Sequence, residues 1–502
     1  MDLLSNLALG FDVAFSPVNL LYCFIGVFLG TLIGVLPGIG ALAACSMLLP
    51  VTFYLSPATA LVMLAGVYYG AEYGGSIASI LLNLPGTPSA AVTCLDGYPM
   101  ARDGRAGVAL FITTLASFVG SAIGIVIVTA FAPVLVKLAL AFGPAEYFAI
   151  MLLGLVAAAA ITQGSAIKGM GMVTVGILIG TVGTDVNTGV WRFTFDSPYL
   201  LDGVSLVALA MGLFGVTEVI TSINDKVTAP KGGISLRSML PRPDDLRRSV
   251  FPMLRGTGVG SFFGTLPGTG QTIASFIAYA IEKRISKDPS RFGNGAVEGI
   301  SAPESANSAS ALTAFIPTLS LGIPGSATMA LLLGAMMIHG ITPGPMVIVN
   351  HPDVFWGVIA SFWIGNLLLV LLNVPLIGIW VRLLQVPYQW LYPVIIVLIC
   401  VGVYSINSNV FDVVLALLLG VAGYGMRLLG FEPAPLLIGF VLGPMMEENL
   451  RRGLLLARGD YGRLVMQPIT GTILALTAVL VVWSVWKSLH RGRQAAEPQS
   501  DA

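Results

Sequence analysis

The sequence predicts an all-α polytopic membrane protein of two inverted repeats, each with a re-entrant hairpin and broken helices, and about 11–12 transmembrane helices. Three observations carry that prediction. Of the 502 residues, 56% are hydrophobic and 10% charged, where a soluble domain carries about 25% charged residues. The charges gather between about a dozen apolar runs of roughly 20 residues, each long enough to cross a bilayer. Two of those runs are interrupted by similar tips that make poor helix, "GVLPGIG" (34–40) and "GTLPGTG" (264–270). Basic residues flank the second tip and not the first.

The elements follow in chain order. The N-terminus, "MDLLSNLALGFDVAFSP", lacks the basic region of a signal peptide, so the first apolar segment is expected to stay. The first transmembrane repeat is assigned to residues 15–222. Its hairpin, near 18–53, has no Lys or Arg on either flank, which suits entry from outside. "GAEYGGSIASIL" (70–81) and the second break, "NLPGTPS" (83–89), come next, followed by the first basic loop with Arg102 and Arg105. A cytoplasmic basic linker is assigned to 223–250; Lys226, Lys231, Arg237, Arg242, Arg247 and Arg248 lie in it.

The second repeat is assigned to 251–465 and opens on a hairpin near 251–282. Arg255 stands at one end, and Lys283, Arg284, Lys287 and Arg291 follow the other. One spanning helix would put one basic end outside; a hairpin keeps both inside, with the tip at depth. Non-helical backbone there is tolerated when buried in protein or lining a watery cavity. Leu36-Pro37-Gly38-Ile39-Gly40 matches Leu266-Pro267-Gly268-Thr269-Gly270, and Gly30 and Gly34 match Gly260 and Gly264. Downstream, "APESANSASAL" (302–312) aligns Glu304 with Glu72 and Ser308 with Ser76, and "GIPGSAT" (322–328) matches "NLPGTPS". "GLFGVTE" (212–218) is faintly echoed by "GFVLGPMME" (439–447). Two copies with opposite charge flanks point to an inverted repeat with its site at the midplane. An extra C-terminal helix (466–488) and a disordered cytoplasmic tail (489–502) complete the chain. One stretch resists the count: Arg451, Arg452, Arg458 and Arg463 fall on the outside, so either 434–446 is itself re-entrant or the count is off by one.

Composition also excludes. Net charge is zero and no basic, aromatic-rich patch points to nucleic acid. Cys23, Cys45, Cys94 and Cys400 sit in apolar contexts and are expected to be buried thiols. No phosphate-binding loop, H-E-x-x-H, Ser/His/Asp or Cys/His cluster is present, so neither catalytic residues, a metal site nor ATP hydrolysis is expected. His339 and His351 are expected to pack in loops; Lys168, Asp185, Glu218 and Asp412 are expected to be structural or topological.

The broken segments offer backbone N–H groups and small polar side chains. Helix N-termini favour anions such as carboxylate, and glycine allows close approach. The candidate substrate-binding residues are Gly38, Gly40, Pro85, Gly86, Thr87, Pro267, Gly268, Thr269, Gly270, Gln271, Pro324, Gly325 and Ser326. The bland alternative is close helix packing by small residues and Pro kinks. Intramembrane acids are costly and need a reason. Glu72 and Glu304, with Ser76, Ser305, Asn307 and Ser308, are the candidate ion-coupling residues; the alternative is that the acids cap helices or pair with an arginine.

With these residues in view, the chain resembles the large membrane subunit of the tripartite tricarboxylate transporters, the TctA family, over about residues 15–465. The resemblance rests on "GTLIGVLPGIG", "YGGSIASILLNLPGTPSA", "DGYPMARDGRAG", "FFGTLPGTGQTIASFIAYAIEKR", "FGNGAVEGISAPESANSASALTAFIPTLSLGIPGSATMALLLGAM" and "GFVLGPMMEENLRR". It implies a multi-pass secondary transporter of the bacterial inner membrane that imports carboxylates, citrate among them, driven by Na⁺ or H⁺ and without a cofactor. Its implied partners are a small four-helix membrane subunit and a periplasmic solute-binding protein. Ile39 and Ala41 stand where the second tip has Thr269 and Gln271, so the second tip should give more side-chain contacts. The alternatives are a stand-alone organic-anion permease, whose uptake would survive loss of the binding protein, and an enzyme using Glu72 and Glu304 as an acid/base pair.

Overall fold

The computed structural model describes residues 3–36, 38–140, 142–160, 165–185, 187–222, 236–266, 270–344, 346–384 and 388–496. Helix dominates, as a chain that must satisfy its backbone away from water requires. Chain order begins with α1 (Leu3–Ala14), α2 (Pro17–Gly34), α3 (Gly40–Thr52), α4 (Pro57–Leu82), α5 (Cys94–Met100), α6 (Ala106–Leu140), α7 (Pro144–Ala160) and α8 (Ala166–Gly180). Strands β1 (Gly183–Thr184) and β2 (Trp191–Arg192) then pair antiparallel, Gly183 opposite Arg192. The helices resume with α9 (Leu206–Ala210), α10 (Thr217–Ser222), α11 (Pro243–Gly264), α12 (Gly270–Ile285), α13 (Glu298–Thr313), α14 (Phe315–Leu321), α15 (Ala327–Ile338) and α16 (Met346–Asn350). Last come α17 (Pro352–Asn373), α18 (Ile377–Leu383), α19 (Tyr388–Asn407), α20 (Val410–Leu428), α21 (Ala434–Leu456), α22 (Tyr461–Val465) and α23 (Pro468–Ala496).

Local chemistry sets the ends that matter. Pro17 and Pro57 open α2 and α4 behind Ser16 and Ser56, whose hydroxyls accept from Asn19 and Thr59 N–H. α4 stops at Asn83 and α14 at Gly322, both left-handed (φ 58° and 69°), the usual way to release a chain from a helix. These two residues head the matched "NLPGTPS" and "GIPGSAT" segments. α11 starts at Pro243, inside the stretch assigned to the linker, because Pro243 suits the first helical position and the Asp245 carboxylate accepts from Arg242 N–H at 3.1 Å. Residues 223–235 lie outside the described residues. α23 continues through the start of the expected tail to Ala496; 497–502 lie outside.

Among the described residues, five helices are long and apolar enough to cross a membrane, those over Pro17–Gly34, Cys94–Phe131, Pro352–Asn373, Val410–Leu428 and Pro468–Trp486. Seven apolar helices of 10–17 residues accompany them. Breaks thus divide several of the apolar runs into pieces shorter than a span.

The chain forms two compact units, Met1–Lys137 with Leu206–Tyr424, and Leu138–Ser205 with Gly425–Ala502. Each takes segments from both halves of the sequence. In the first, glycine seams join helix pairs. A Cβ on Gly26, Gly30 or Gly34 of α2 would lie 2.3 Å from the carbonyl oxygen of Met63, Val67 or Ala71 on α4. A Cβ on Gly256 or Gly260 of α11 would lie 2.1 Å from that of Ala302 or Ala306 on α13. Only hydrogen fits there, so the backbones touch. Phe362 anchors α17 against α4 and α14, 5.5 Å from the Tyr69 ring and 4.7 Å from Phe315.

In the second unit, Gly176 of α8 and Gly439 of α21 make the same approach, to Leu436 and Val173 carbonyls. α21 is unbroken from Ala434 to Leu456, so residues 434–446 are not interrupted as the two tips are. Arg451 binds Asp185 at 2.8 Å and Glu447 at 2.6 Å, and Glu447 also binds Arg192 at 3.0 Å. Arg452 pairs with Glu448 and Arg463 with Asp460. Arg451 thus has a structural role apart from any part in orienting the chain, whereas the exposed pairs of Arg452 and Arg463 contribute little.

Candidate functional site

Both tips break where the sequence places them. α2 ends at Gly34 and α3 starts at Gly40; α11 ends at Gly264 and α12 starts at Gly270. Gly38, Gly40 and Gly270 take positive φ (87°, 67° and 61°), open to glycine at no steric cost. Pro37, Pro267, Gly268 and Thr269 lie outside the described residues.

The second breaks fold back onto the first. A Cβ on Gly86 would sit 2.7 Å from the Gly34 carbonyl oxygen, and one on Gly325 would sit 3.7 Å from that of Gly264. Gly34 and Gly264 are matched in sequence, and so are Gly86 and Gly325. In each half the same pair of breaks therefore meets. Pro85 is exposed and Pro324 buried. Ser326 is spent in part on its own helix, since its hydroxyl accepts from Met329 N–H at 3.3 Å to cap α15. Gln271 donates to the Tyr68 hydroxyl, one helical turn before Glu72 on α4.

The two acids lie beside that junction. Glu304 is buried, 1% exposed, and Glu72 is half-buried. Ser76 Oγ donates to both Glu304 oxygens, at 2.8 and 3.0 Å, and Thr93 Oγ1 donates to Oε1 as well. Ser89 Oγ donates to Glu72 Oε2 at 2.9 Å and lies 2.9 Å from Thr87 Oγ1. Asn307 and Thr87 lie beside Glu72 as well. So Ser76 of the first half serves the acid of the second, and Asn307 of the second half lies beside the acid of the first. Asn307 Oδ1 and Ser310 Oγ are buried with no hydrogen-bond partner among the described residues.

The other candidates divide. Ser305 faces away, its hydroxyl donating to the Met253 and Ala302 carbonyls at 2.9 and 3.0 Å. Successive residues of a helix point about 100° apart, which turns Ser305 toward α11, whereas Asn307, three positions from Glu304, shares its face. Ser308 is half-buried, and its hydroxyl makes no hydrogen bond among the described residues. Every described candidate belongs to the first compact unit.

Among the described residues neither glutamate has an ion pair. A buried carboxylate is costly unless it is neutralised. Oxygen donors from Ser76, Thr93, Ser89, Thr87 and Asn307 suit a proton or a hard monovalent cation.

Ser89, Thr93 and Asp96 were not picked out from the sequence. The first two extend the run of hydroxyls after "NLPGTP", a signal that the pattern offered. Asp96 is fully buried at the start of α5. Its Oδ1 accepts N–H bonds from Gly293, Gly295 and Ala296 at 2.8–2.9 Å, and its Oδ2 accepts from the Tyr279 hydroxyl at 3.0 Å. It thereby fixes the loop that leads from α12 into the Glu304 helix.

Comparison with known proteins agrees with the sequence motifs. A family model described as the tripartite tricarboxylate transporter TctA family matches residues 20–438. An uncharacterised 52.8 kDa protein of the TAR-I ttuC' 3' region of Agrobacterium vitis is 50% identical over 501 residues, covering 100% of both chains. An uncharacterised protein of the TAR-II ttuC' 3' region of the same organism is 51% identical over 242 residues, 48% of this chain and 100% of the relative. No solved structure matches.

Proposed function

The chain belongs to the tripartite tricarboxylate transporter TctA family, and from that premise we propose that it is the large permease subunit of a binding-protein-dependent importer of carboxylates. In this reading it is a transporter of the bacterial inner membrane rather than an enzyme. It works with a small four-helix membrane subunit and a periplasmic solute-binding protein. The two halves are inverted repeats with re-entrant hairpins, and access alternates between the two sides of the membrane.

The observation that carries the proposal is the unpaired acid pair. Glu304 is buried without a basic partner among the described residues, and Glu72 stands beside the same breaks. A proton or Na⁺ bound there removes the cost of the charge. The substrate carboxylate is held at the paired tips by glycine backbone and by Gln271, Thr87 and Ser326. Occupancy by both then favours the state that can change sides. The first compact unit, which holds the described candidates, is the substrate-carrying part.

The test is uptake into proteoliposomes containing both membrane subunits, with the binding protein outside and Na⁺ or H⁺ gradients imposed separately. Labelled citrate and several dicarboxylates serve as substrates. Accumulation that needs the gradient and the binding protein supports the proposal. Accumulation without the binding protein would favour a stand-alone permease, and an unchanged ion profile in Glu304→Gln would remove that acid from coupling.

A further inference from the structure

At the other end of the second hairpin, α11, the end of α12 and the loop to α13 enclose a cleft of about 530 Å³. Five basic and three acidic side chains line it. Three of the basic groups are already engaged: Arg255 with Glu282 at 2.6 Å, Arg291 with Glu298 at 3.3 Å, and Arg248 with Asp244 at 2.8 Å. The third acid, Asp288, accepts from the Ser290 hydroxyl at 2.5 Å. Arg247 and Lys287 have no ion pair or hydrogen bond among the described residues, and both are exposed.

The same cleft carries apolar side chains. Phe251 is 66% exposed and Ile285 54% exposed, and both line it. Glu298 Oε2 is buried there without a hydrogen-bond partner among the described residues. Free cationic groups, a carboxylate oxygen short of a donor, and open apolar surface answer three parts of one ligand: a phosphodiester, a hydroxyl and an acyl chain. Basic pockets at the ends of membrane helices bind anionic lipid heads for this reason, and exposed apolar residues beside them add buried area.

We propose that this cleft is a binding site for an anionic phospholipid with a phosphoglycerol head. Arg247 and Lys287 hold the phosphodiester, Glu298 accepts a glycerol hydroxyl, and Phe251 and Ile285 lie along the acyl chains. The lipid bridges α11 to the α12–α13 connection and so braces the base of the hairpin.

The full-length protein is delipidated in detergent and offered phosphatidylglycerol or phosphatidylcholine with the same acyl chains. Native mass spectrometry counts retained lipid, and Tm is read alongside. We expect phosphatidylglycerol to be retained and to raise Tm, with phosphatidylcholine doing neither. The double variant Arg247→Ala/Lys287→Ala should retain phosphatidylglycerol at least roughly tenfold less well, each surface charge contributing several-fold. Lys283→Ala/Arg284→Ala, which removes two neighbouring charges that do not line the cleft, should reduce retention several-fold less than the cleft pair does. If the alanine pair lowers the starting Tm, the Gln pair, which keeps longer stems, replaces it. Equal retention of the two lipids, equal loss in both double variants, or undiminished retention in the cleft variant would overturn the proposal. A separate arm offers inorganic phosphate and glycerol phosphate without lipid. Protection by these equal to that by phosphatidylglycerol would make the site one for a soluble anion and overturn the lipid assignment.

Discussion

Ser76 donates to both carboxylate oxygens of Glu304, at 2.8 and 3.0 Å, across a sequence separation of 228 residues. The helix of one acid thus supplies the hydroxyl that holds the other. Thr93 is the second donor to Glu304, so the charged form has two hydroxyl donors and no cationic partner among the described residues.

Removing that hydroxyl should be felt at the site. Ser76→Ala is expected to weaken the stabilisation of the Glu304 carboxylate by about 1.5–3 kcal/mol, the range for a hydrogen bond to a charged group. Cation-dependent uptake should then shift its half-saturation roughly tenfold or more, and Ser76→Thr should restore it. An ion titration of uptake that is the same in wild type and Ser76→Ala would dissociate Ser76 from coupling.

Two glycines on one helix give an internally controlled stability test. A Cβ on Gly260 would lie 2.1 Å from the Ala306 carbonyl oxygen, whereas one on Gly258 meets nothing within 4 Å. Gly260→Ala should therefore cost about 1–3 kcal/mol through overpacking. Gly258→Ala should be neutral or gain up to about 1 kcal/mol from helix propensity. Thermal unfolding in detergent separates them; equal melting temperatures would mean that α11 and α13 can part without cost.

Asp96 should prove a structural anchor. Asp96→Ala leaves three backbone N–H groups without their acceptor, an expected loss of about 1–3 kcal/mol or more. Tyr279→Phe removes one bond to the same carboxylate and should cost only about 1 kcal/mol. Trypsin sensitivity at Arg291, beside the anchored loop, should rise in the first variant and stay near wild type in the second. The reverse order would place the anchoring in the tyrosine.

Asp185, in the connection after α8, allows a test against pH. The Asn187 backbone N–H, aided by Arg451, pulls its carboxyl down to about 2 from the ordinary 3.8. A depressed carboxyl stabilises the fold fully above its unfolded value and loses that contribution as pH falls through the folded one. The Tm difference between wild type and Asp185→Asn should be flat from about pH 8 to about pH 5 and shrink below about pH 4. A difference that disappears already near neutral pH would assign it to another group.

Much of this arrangement is legible in residue order, and the reasons can be named. Gly30 and Gly34 match Gly260 and Gly264 because a Cβ at any of them would collide with the neighbouring helix, a demand that shows in residue order; the meeting of Gly86 with Gly34 and of Gly325 with Gly264 does not show there. Asn83 and Gly322 mark their helix ends because Asn and Gly tolerate the left-handed backbone found there. The partners of the acids are less legible. Ser305 neighbours Glu304 in the chain, yet helical rotation points it at Met253. Thr93 is remote from Glu304 in sequence, and nothing local announces that they touch. Asp96 resembles any acid beside a basic loop until its three N–H donors, some 200 residues away, are in place. Rules of spacing reach one or two helical turns; tertiary folding decides which turns meet.

The unequal exposure of Glu72 and Glu304 has a kinetic side. If a counter-charge arrives from water, the half-open carboxylate greets it before the sealed one. On departure the order reverses. In the proposed coupling role the outer occupant would leave first, and the inner one would stay for as long as the outer place is filled.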